Sequence, residues 1–591
     1  MSKRNFVYSL LLLITFFSCK KLLNPVPDSS FDTEYVFSSP ITATGSVLGV
    51  YNALAGDNGY GSRVSLYYSM DDDNIIGPPN KSSGGGDNDR TAIARYNATS
   101  GNAQLESPFN RLYTGIERAN ICIKNIPLMN QYANGSAADK ATLQRLYGEA
   151  LALRAQFYFE AVRNWGDLPA SFIPSADQTN LFLTKTDRDT IYDHILADLK
   201  IAEDLVPWRT EVTRDERLTK GAIKGLRARI ALFRGGYSLR RSSHVMERNA
   251  AYLTYYQIAR DECNDIMQRR DQHDLNPSYK TVFKDALDAH VLDPRGEVMF
   301  EVAMAGGNSS TDGKFGYYDG NKVNSKGNRS LTLIPTYFYA FDSLDTRRDV
   351  TGAPYDVDAN GYKVGNNLYT IASAKFRRDW ISNPTIDPTS AAQYYGVNWP
   401  ILRFSDVLLM FAESDNELTS APSTTAISAY EEVRKRAFAG NTNKIGITPT
   451  TKDAFFTAIV NERSLEFGGE GIRKYDLIRW NLINQKITET KANLTKMINK
   501  QAPYQNLPQT VYYKLSSTGD LTYYSSLYFP APTTAPSSST WKSVSWVSSV
   551  TSSYITNVAE LFKPNHSELL PLPLAIINSN PNLSQDCGCD N

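Results

Sequence analysis

The sequence is poor in the residues that most often carry catalytic chemistry. Its 591 residues include only five cysteines and five histidines. So few cysteines in a chain of this length cannot form a disulfide framework. The histidines are scattered, without the HExxH pattern or the Cys/His spacing of a zinc site. The chain also contains no GxSxG nucleophile elbow and no GxxxxGK[ST] phosphate loop. The common metalloenzymes, serine hydrolases and nucleotide-binding enzymes therefore have no signature here.

The sequence also lacks an excess of either charge. Lysine and arginine number 62, as do aspartate and glutamate, so there is no basic field for nucleic acid and no polybasic helix for anionic lipid. Beyond the N-terminus, no apolar run is long enough to cross a bilayer. What the chain has in abundance is tyrosine, with 35 residues. Tyrosine and tryptophan rings stack on sugars and grip ligands while keeping a polar group.

Residues 1–18 have the pattern of a secretory signal peptide. Lys3 and Arg4 precede an apolar run of about a dozen residues, which is too short to span a membrane. A small residue, Ser18, then precedes Cys19 as in a bacterial lipobox, although Phe16 stands where leucine is usual. We expect Cys19 to be acylated and to anchor a tether of residues 19–40 to the membrane. The alternative is an ordinary cysteine within a cleaved signal peptide.

The region 41–290 is predicted to be helical. Apolar residues recur at helical spacing over 112–126, 143–165 and 219–234, with Thr219 as a candidate N-cap and Gly235 as a stop. Small residues alternate with large aromatics on these segments, as in tetratricopeptide helix pairs. Because the period is irregular, we expect a few degenerate pairs instead of a regular array.

The region 291–591 is mixed. EVMFEVAM, residues 297–304, alternates as a strand, and Gly- and Tyr-rich loops follow it. Helices are predicted again within ILRFSDVLLMFAESDNE, AISAYEEVRKRAF and FFTAIVNERSLEFGGEGIRKYDLIRWN, while the Ser- and Thr-rich 530–557 reads as a surface loop. Cys587 and Cys589 could chelate a metal or form a tight disulfide, but no histidine pair stands nearby, so we expect a loose tail.

An ordered set of motifs resembles the RagB/SusD family of outer-membrane nutrient-binding lipoproteins. The set runs over nearly the whole chain and consists of CKKLLNPVP, LYTGIERANICIKNI, GEALALRAQFYFEAVRNWGDLP, LTKGAIKGLRARIALFRGGY, GEVMFEV, FDSLDTRRDVT, ILRFSDVLLMFAESDNE, VRKRAF, NERSLEFGGEGIRKYDLIRWN and ELLPLPLAIINSNPNLSQD. Asn24 departs from the pattern, since an acid is common at that position. Each fragment is weak alone, and their order behind a lipobox makes the resemblance specific.

The resemblance implies a mainly α, SusD-like fold, in which tetratricopeptide-type helix pairs support a loop-rich subdomain with a few short strands. It also implies a function. The protein would be a non-catalytic lipoprotein of the cell outer membrane that binds a nutrient, first of all a glycan, and delivers it to a SusC-like TonB-dependent transporter. A peptide or another nutrient as cargo, a glycoside hydrolase and a helical-repeat scaffold without a small ligand remain as alternatives.

Glu462 and Glu466 are the only carboxylates whose placement suggests a glycosidase pair. They lie one helical turn apart, but Arg463, Arg473 and Arg479 are close in sequence. Neighbouring arginines hold carboxyl pKa values down and make poor general acids of them. We therefore expect a salt-bridge lattice between the last helices and no catalytic residues.

If the resemblance holds, the ligand lies on loops opposite the helix pairs. Rings and hydrogen-bonding partners are expected there from Tyr67, Tyr68, Asp73, Asn74, Arg95, Tyr96, Tyr317 and Tyr318. For each tyrosine, packing within the fold is the competing interpretation, and Trp399 is expected in the core. The acidic DDDN of residues 71–74 could hold calcium through oxygen ligands, although it lacks the spacing of a known calcium loop. No other metal or cofactor is expected.

Substitution of Cys19 tests the predicted anchor. Cys19→Ala should move the protein from the outer-membrane fraction to the soluble fraction, because the thiol that would carry the lipid is gone. Immunoblots of fractionated cells measure this, with Ser18→Ala as a control that keeps a small residue before the cysteine. Unchanged membrane association of Cys19→Ala in a strain that lacks the SusC-like transporter would contradict lipidation.

Overall fold

A computed structural model of the chain describes residues 32–79, 81–82, 90–213, 216–304, 307–382, 386–516, 521–528 and 534–586. Cys19 with its signal peptide, and the pair Cys587 and Cys589, lie outside the described residues. Within those ranges, the search for a helix with the length and apolar character of a membrane span finds no candidate.

Helices dominate the first half of the described chain. They are α1 (Thr33–Val36), α2 (Pro40–Asn52), α3 (Arg90–Ala94), α4 (Glu106–Asn125), α5 (Asn130–Asn134), α6 (Ala137–Trp165), α7 (Arg188–Leu205), α8 (Lys220–Arg234) and α9 (Tyr252–Met267). The three predicted helices are confirmed as α4, α6 and α8. Thr219 is the N-cap residue of α8, and Gly235 follows its last turn.

These helices pack in succession, with α6 in contact with α4 and α7, and α8 in contact with α7 and α9. The expected alternation of small and aromatic residues explains one contact between α4 and α6. A Cβ atom on Gly115 would lie 2.4 Å from the ring of Phe157, so only glycine lets the two helices approach this closely. The helical half therefore consists of close-packed pairs of tetratricopeptide type.

Short elements follow, and then a second group of longer helices. The helices are α10 (Tyr279–Thr281), α11 (Phe315–Tyr318), α12 (Pro335–Phe338), α13 (Arg348–Thr351), α14 (Phe404–Leu418), α15 (Thr424–Ala437), α16 (Lys452–Phe467), α17 (Arg473–Arg479), α18 (Ile483–Ile498), α19 (Ser552–Asn557) and α20 (Leu574–Ser579). Single π-helical turns occur at Arg63–Tyr67 and Val282–Asp288.

The strands of the described chain are short. They are β1 (Ile75–Ile76), β2 (Ser238–Leu239), β3 (Met246–Glu247), β4 (Val298–Val302), β5 (Thr332–Leu333), β6 (Gly352–Ala353), β7 (Tyr355–Val357), β8 (Lys363–Gly365), β9 (Ala372–Ser373), β10 (Trp399–Arg403), β11 (Thr510–Lys514), β12 (Thr522–Tyr523) and β13 (Lys542–Ser545). They form the sheets β1-β5-β9-β6, β10-β4 and β12-β11-β13, and the hairpins β2-β3 and β7-β8. The expected mainly α fold with a few short strands is confirmed.

Two local predictions are wrong. The helix expected to start near Leu402 begins at Phe404, because Trp399–Arg403 is a strand that pairs with β4, the strand predicted within 297–304. The segment 530–557 is not only a loop, since β13 pairs with β11 and α19 follows it. Its Ser and Thr content hid the alternation of a partly exposed strand. Trp399 is in the core as expected, with its ring stacked 5.0 Å from those of Phe315 and Phe376.

A lattice of buried ion pairs joins the later elements and confirms the expected role of the charged helices. Glu466 on α16 accepts hydrogen bonds from Arg436 at 2.6 Å, Arg403 at 2.9 Å and Arg347 at 3.1 Å. Burial acts to raise the pKa of Glu466, but the three arginines outweigh it and hold that pKa well below its usual value. Glu466 therefore remains ionised.

A second branch of the lattice ties the two helical groups together. Asp406 on α14 accepts from Arg229 of α8 and from Arg463 of α16, both at 2.5 Å. Arg463 continues to Asp476 on α17 at 2.7 Å. All four side chains are buried, so each charge depends on its partners for compensation.

Leu408 tests the packing of α14. It is fully buried, so Leu408→Ala should lower the free energy of unfolding by about 2–5 kcal/mol through lost burial and a residual cavity. Denaturant titration measures the change. Leu128→Ala is the matched control, because Leu128 is 74% exposed and should change stability little. Equal effects of the two substitutions would show that the face of α14 is misplaced.

Glu466→Gln tests the lattice. It should destabilise the fold by about 3–5 kcal/mol, because it leaves buried arginines without their shared counter-charge. A depressed carboxyl pKa contributes stability above the unfolded value of about 4.3, and this contribution is lost as pH falls below it. The stability gap between wild type and variant should therefore shrink below about pH 4.

Thermal unfolding at several pH values measures that gap. The control is Glu489→Gln, which removes a more exposed pair with Lys486 at 2.8 Å and should cost at most about 1 kcal/mol. A Glu466→Gln protein as stable as wild type at pH 7 would refute the structural role of the lattice.

Candidate ligand-binding site

Tyr317 and Tyr318 occupy a one-turn helix with a rigid base. Phe315, at the start of α11, is buried against Trp399. On the other side the amide of Asn328 donates to the carbonyl of Tyr317 at 2.7 Å, and the amide of Ser330 to that of Tyr318 at 3.0 Å. These contacts fix the backbone and leave the two tyrosine side chains half-buried.

A third ring completes what we call the tyrosine cluster, defined as Tyr67, Tyr317 and Tyr318. Tyr67 ends the π-helical turn Arg63–Tyr67, and its ring meets that of Tyr318 edge-on at 5.9 Å. The rings of Tyr317 and Tyr318 lie 4.9 Å apart. Burial, and next the proximity of Tyr318, raise the pKa of the Tyr67 phenol well above its ordinary value, so Tyr67 is neutral.

Arg90, the first residue of α3, supplies the polar group of the cluster. Its guanidinium lies 4.6 Å from the ring centre of Tyr318 and 5.8 Å from that of Tyr67. It donates to the Ser330 hydroxyl at 3.2 Å, whereas its buried Nε has no hydrogen-bond partner among the described residues. The cation is thus held by aromatic faces and keeps an unused donor.

Arg90 is not among the residues predicted from the sequence. A signal was available, since RTAIA places one basic residue at the start of an apolar helical turn directly after a glycine-rich stretch. Arg63 was missed for a similar reason. It stands four residues before Tyr67, one helical turn away, and its guanidinium lies 6.0 Å from the Tyr67 ring centre.

The predicted exposure of Tyr68, Asn74 and Arg95 is wrong. All three side chains are buried. Tyr68 packs edge-on against Trp165 at 5.6 Å and donates to the carbonyl of Gln104 at 2.7 Å. Asn74 accepts from the Ser464 hydroxyl at 2.7 Å. Arg95 forms a fully buried ion pair with Asp71 at 2.6 Å.

Asp73 and Tyr96 are also engaged within the fold. Asp73 accepts two hydrogen bonds from Arg473 at 2.7 Å each. The Tyr96 hydroxyl donates to the carbonyl of Asp71, and its ring meets Phe562 edge-on at 5.0 Å. The DDDN segment is therefore a joint between the N-terminal region and α16 and α17. Only Tyr67, Tyr317 and Tyr318 of the predicted set come together.

The same geometry bears on the calcium hypothesis. The carboxylates of Asp71 and Asp73 are turned to arginines and not to a common centre. Over the described ranges, no group of three or more His, Cys, Asp or Glu side chains could hold a metal ion.

The paired carboxylates of the glycosidase hypothesis are likewise occupied. Glu462 accepts from Arg347 and Arg434, both at 2.7 Å, and Glu466 has the depressed pKa described above. A general acid must carry a proton near the working pH. Neither the position nor the protonation of Glu466 fits that role.

Comparison with known protein families gives two matches along the chain. A profile described as starch-binding associating with outer membrane matches residues 24–232. The SusD family profile matches residues 356–588. The two matched ranges do not overlap and together cover most of the sequence.

Relatives and solved structures agree with these matches. SusD-like protein P25 of Formosa agariphila is 25% identical over 521 residues, which is 82% of this chain and 91% of the relative. A SusD homolog from Bacteroides thetaiotaomicron superposes with a TM-score of 0.74 at 21% identity, covering 96% of this chain and 99% of the homolog.

A further solved structure is the surface glycan-binding protein A of Bacteroides thetaiotaomicron in complex with laminarihexaose. It superposes with a TM-score of 0.63 at 17% identity, over 93% of this chain and 100% of that protein. The ordered motifs, the paired helices with their loop-rich subdomain and these matches lead to one conclusion. The chain belongs to the SusD/RagB family.

Proposed function

We propose that the protein is a non-catalytic lipoprotein that captures an oligosaccharide at the tyrosine cluster. The observation that carries this proposal is the half-buried pair Tyr317 and Tyr318 on a rigid base. Flat rings stack against the CH faces of a pyranose, and nearby polar groups take hydroxyl hydrogen bonds. Arg90, with its unused Nε, is placed to donate one of them. The glycan-binding members of the family support this choice of ligand.

The aromatic character of the cluster favours a sugar. Its three tyrosine rings offer stacking surfaces, and Arg90 is engaged by aromatic faces and by Ser330. A peptide, whose carboxylate would pair with Arg90, is the alternative cargo.

We further propose the outer membrane as the location and a SusC-like TonB-dependent transporter as the partner. The lipobox before Cys19 supports the anchor, and the description of the family that matches residues 24–232 supports outer-membrane association. In such a pair the lipoprotein binds cargo at the surface and hands it to the transporter. No catalytic step is required.

A double substitution tests the tyrosine cluster. Tyr317→Ala combined with Tyr318→Ala should weaken oligosaccharide binding by a factor of about 5 to 150, because each aromatic contact contributes about 0.5–1.5 kcal/mol. Titration calorimetry with laminarihexaose and a panel of other neutral oligosaccharides measures the affinity. Binding should depend only weakly on salt, since neutral sugars carry no charge to be screened.

The matched control is Tyr362→Ala, which removes a tyrosine that is 41% exposed and lies outside the cluster. Its binding should equal that of wild type. Normal binding by the double variant would place the ligand elsewhere, and loss of the folded state in that variant would show that these rings are structural.

A further inference from the structure

The structure also contains a cavity that does not include the residues of the tyrosine cluster. It has a volume of about 320 Å³ and lies between α12, the start of α13, β7 and the segment 521–528. Its wall includes Phe338, Arg348, Asp349, Tyr355, Tyr523 and Tyr528. The volume is at the lower end of the range of small-ligand sites.

Rigid aromatic packing supports the wall. Behind it, Trp546 is fully buried, 5.8 Å from the ring of Phe338 and 6.4 Å from that of Tyr523. The ring of Tyr528 is held edge-on to Tyr339 at 5.5 Å, and its hydroxyl donates to the carbonyl of Phe341 at 3.1 Å. A ligand would therefore meet preformed aromatic surfaces and would not have to order them.

The charged groups of the wall neutralise each other. Arg348 donates to both oxygens of Asp349, at 2.8 and 3.0 Å, and to the Tyr528 hydroxyl at 2.9 Å. The Asp349 side chain is 54% exposed, so its carboxylate keeps free acceptor positions. A charged ligand finds no net charge to pair with, whereas a neutral polyhydroxyl compound finds fixed acceptors and donors.

One polar group of the wall has no partner. The hydroxyl oxygen of Tyr523 is buried and makes no hydrogen bond in the described part of the chain. A buried donor without an acceptor is costly, so this phenol is a further group that a ligand hydroxyl could satisfy. It is an observation independent of the cavity's shape.

We infer that this cavity is a second carbohydrate site, which takes a neutral saccharide unit of one or two rings. It is distinct from the tyrosine cluster, because none of its lining residues belongs to that cluster. Tyr355 of β7 lines the cavity. The next residue, Asp356, accepts from the amide of Lys322 at 2.8 Å and from Arg329 at 2.6 Å, on the loop behind the cluster. Successive strand residues point to opposite faces.

Filling the cavity tests the inference without disturbing its aromatic base. Ser525→Trp places a large ring at the partly buried wall, and Ser538→Trp is the control at an exposed position outside it. Saturation-transfer NMR with a panel of neutral mono- and disaccharides, including glucose, galactose, mannose and laminaribiose, measures binding. The variants are compared in a protein that also carries Tyr317→Ala and Tyr318→Ala, so that the tyrosine cluster does not contribute to binding. In that protein we expect saturable binding with Ser538→Trp and its loss with Ser525→Trp.

The double variant Tyr317→Ala and Tyr318→Ala separates this inference from the proposed function. It should keep the binding that Ser525→Trp loses. No saturable binding of any panel sugar in the double variant, or binding there that survives the addition of Ser525→Trp, would overturn the second site. Loss of all binding in the double tyrosine variant alone would also overturn it, while leaving the tyrosine cluster intact as a site.

Tyr523→Phe provides a second, isosteric test. It should weaken panel binding about five-fold, the effect of one hydrogen bond, while the melting temperature without sugar stays equal or rises because an unpartnered hydroxyl is removed. A lower melting temperature with unchanged binding would show a purely structural hydroxyl and contradict the assignment.

Discussion

Three arginines from distant parts of the sequence converge on the carboxylate of Glu466. Arg347 comes from the loop after α12, Arg403 from the end of β10 and Arg436 from α15. Removing these charges from water is costly, and only a complete set of partners offsets the cost. The later elements therefore have one arrangement in which all charges are compensated. That requirement specifies the architecture more narrowly than apolar burial does.

The proposed binding surface, the tyrosine cluster, depends on the same arrangement. Strand β10 ends in Arg403, which is held by Glu466, and begins with Trp399, which carries Phe315. Phe315 starts the turn that presents Tyr317 and Tyr318. Without this support the Tyr317 and Tyr318 side chains would be mobile. A ligand would then have to order them on binding, which would lower its affinity. A buried charge lattice and a surface site are thus linked through one strand and one stacked ring.

The helices could be predicted from sequence because their information is local. The apolar spacing of α6 and the charged pattern of α16 both lie within a single element. The site could be predicted only in part. Asp73 finds Arg473 a full 400 residues away, and neither partner's surroundings reveal the other. Loop composition made Tyr68 and Arg95 look exposed, whereas Trp165 packs on the Tyr68 ring and Asp71 pairs with Arg95 inside the fold. The cavity beside Tyr523 was missed because its wall combines residues of 338–355 with the distant segment 521–528.

Strand β7 also limits how this protein can change in evolution. The Tyr355 side chain faces the cavity, and the Asp356 side chain faces the loop that contains Lys322 and Arg329. Inserting or deleting a single residue before them would turn each side chain to the opposite face of the strand. The lineage cannot adjust one side independently by altering length there. Insertions and deletions are tolerable instead in the turn 358–362, which joins β7 to β8 and contributes no residue to the cavity wall or to the tyrosine cluster. Diversification of ligand preference is therefore expected through substitutions around β7 and through insertions at that turn, while the strand itself keeps its length.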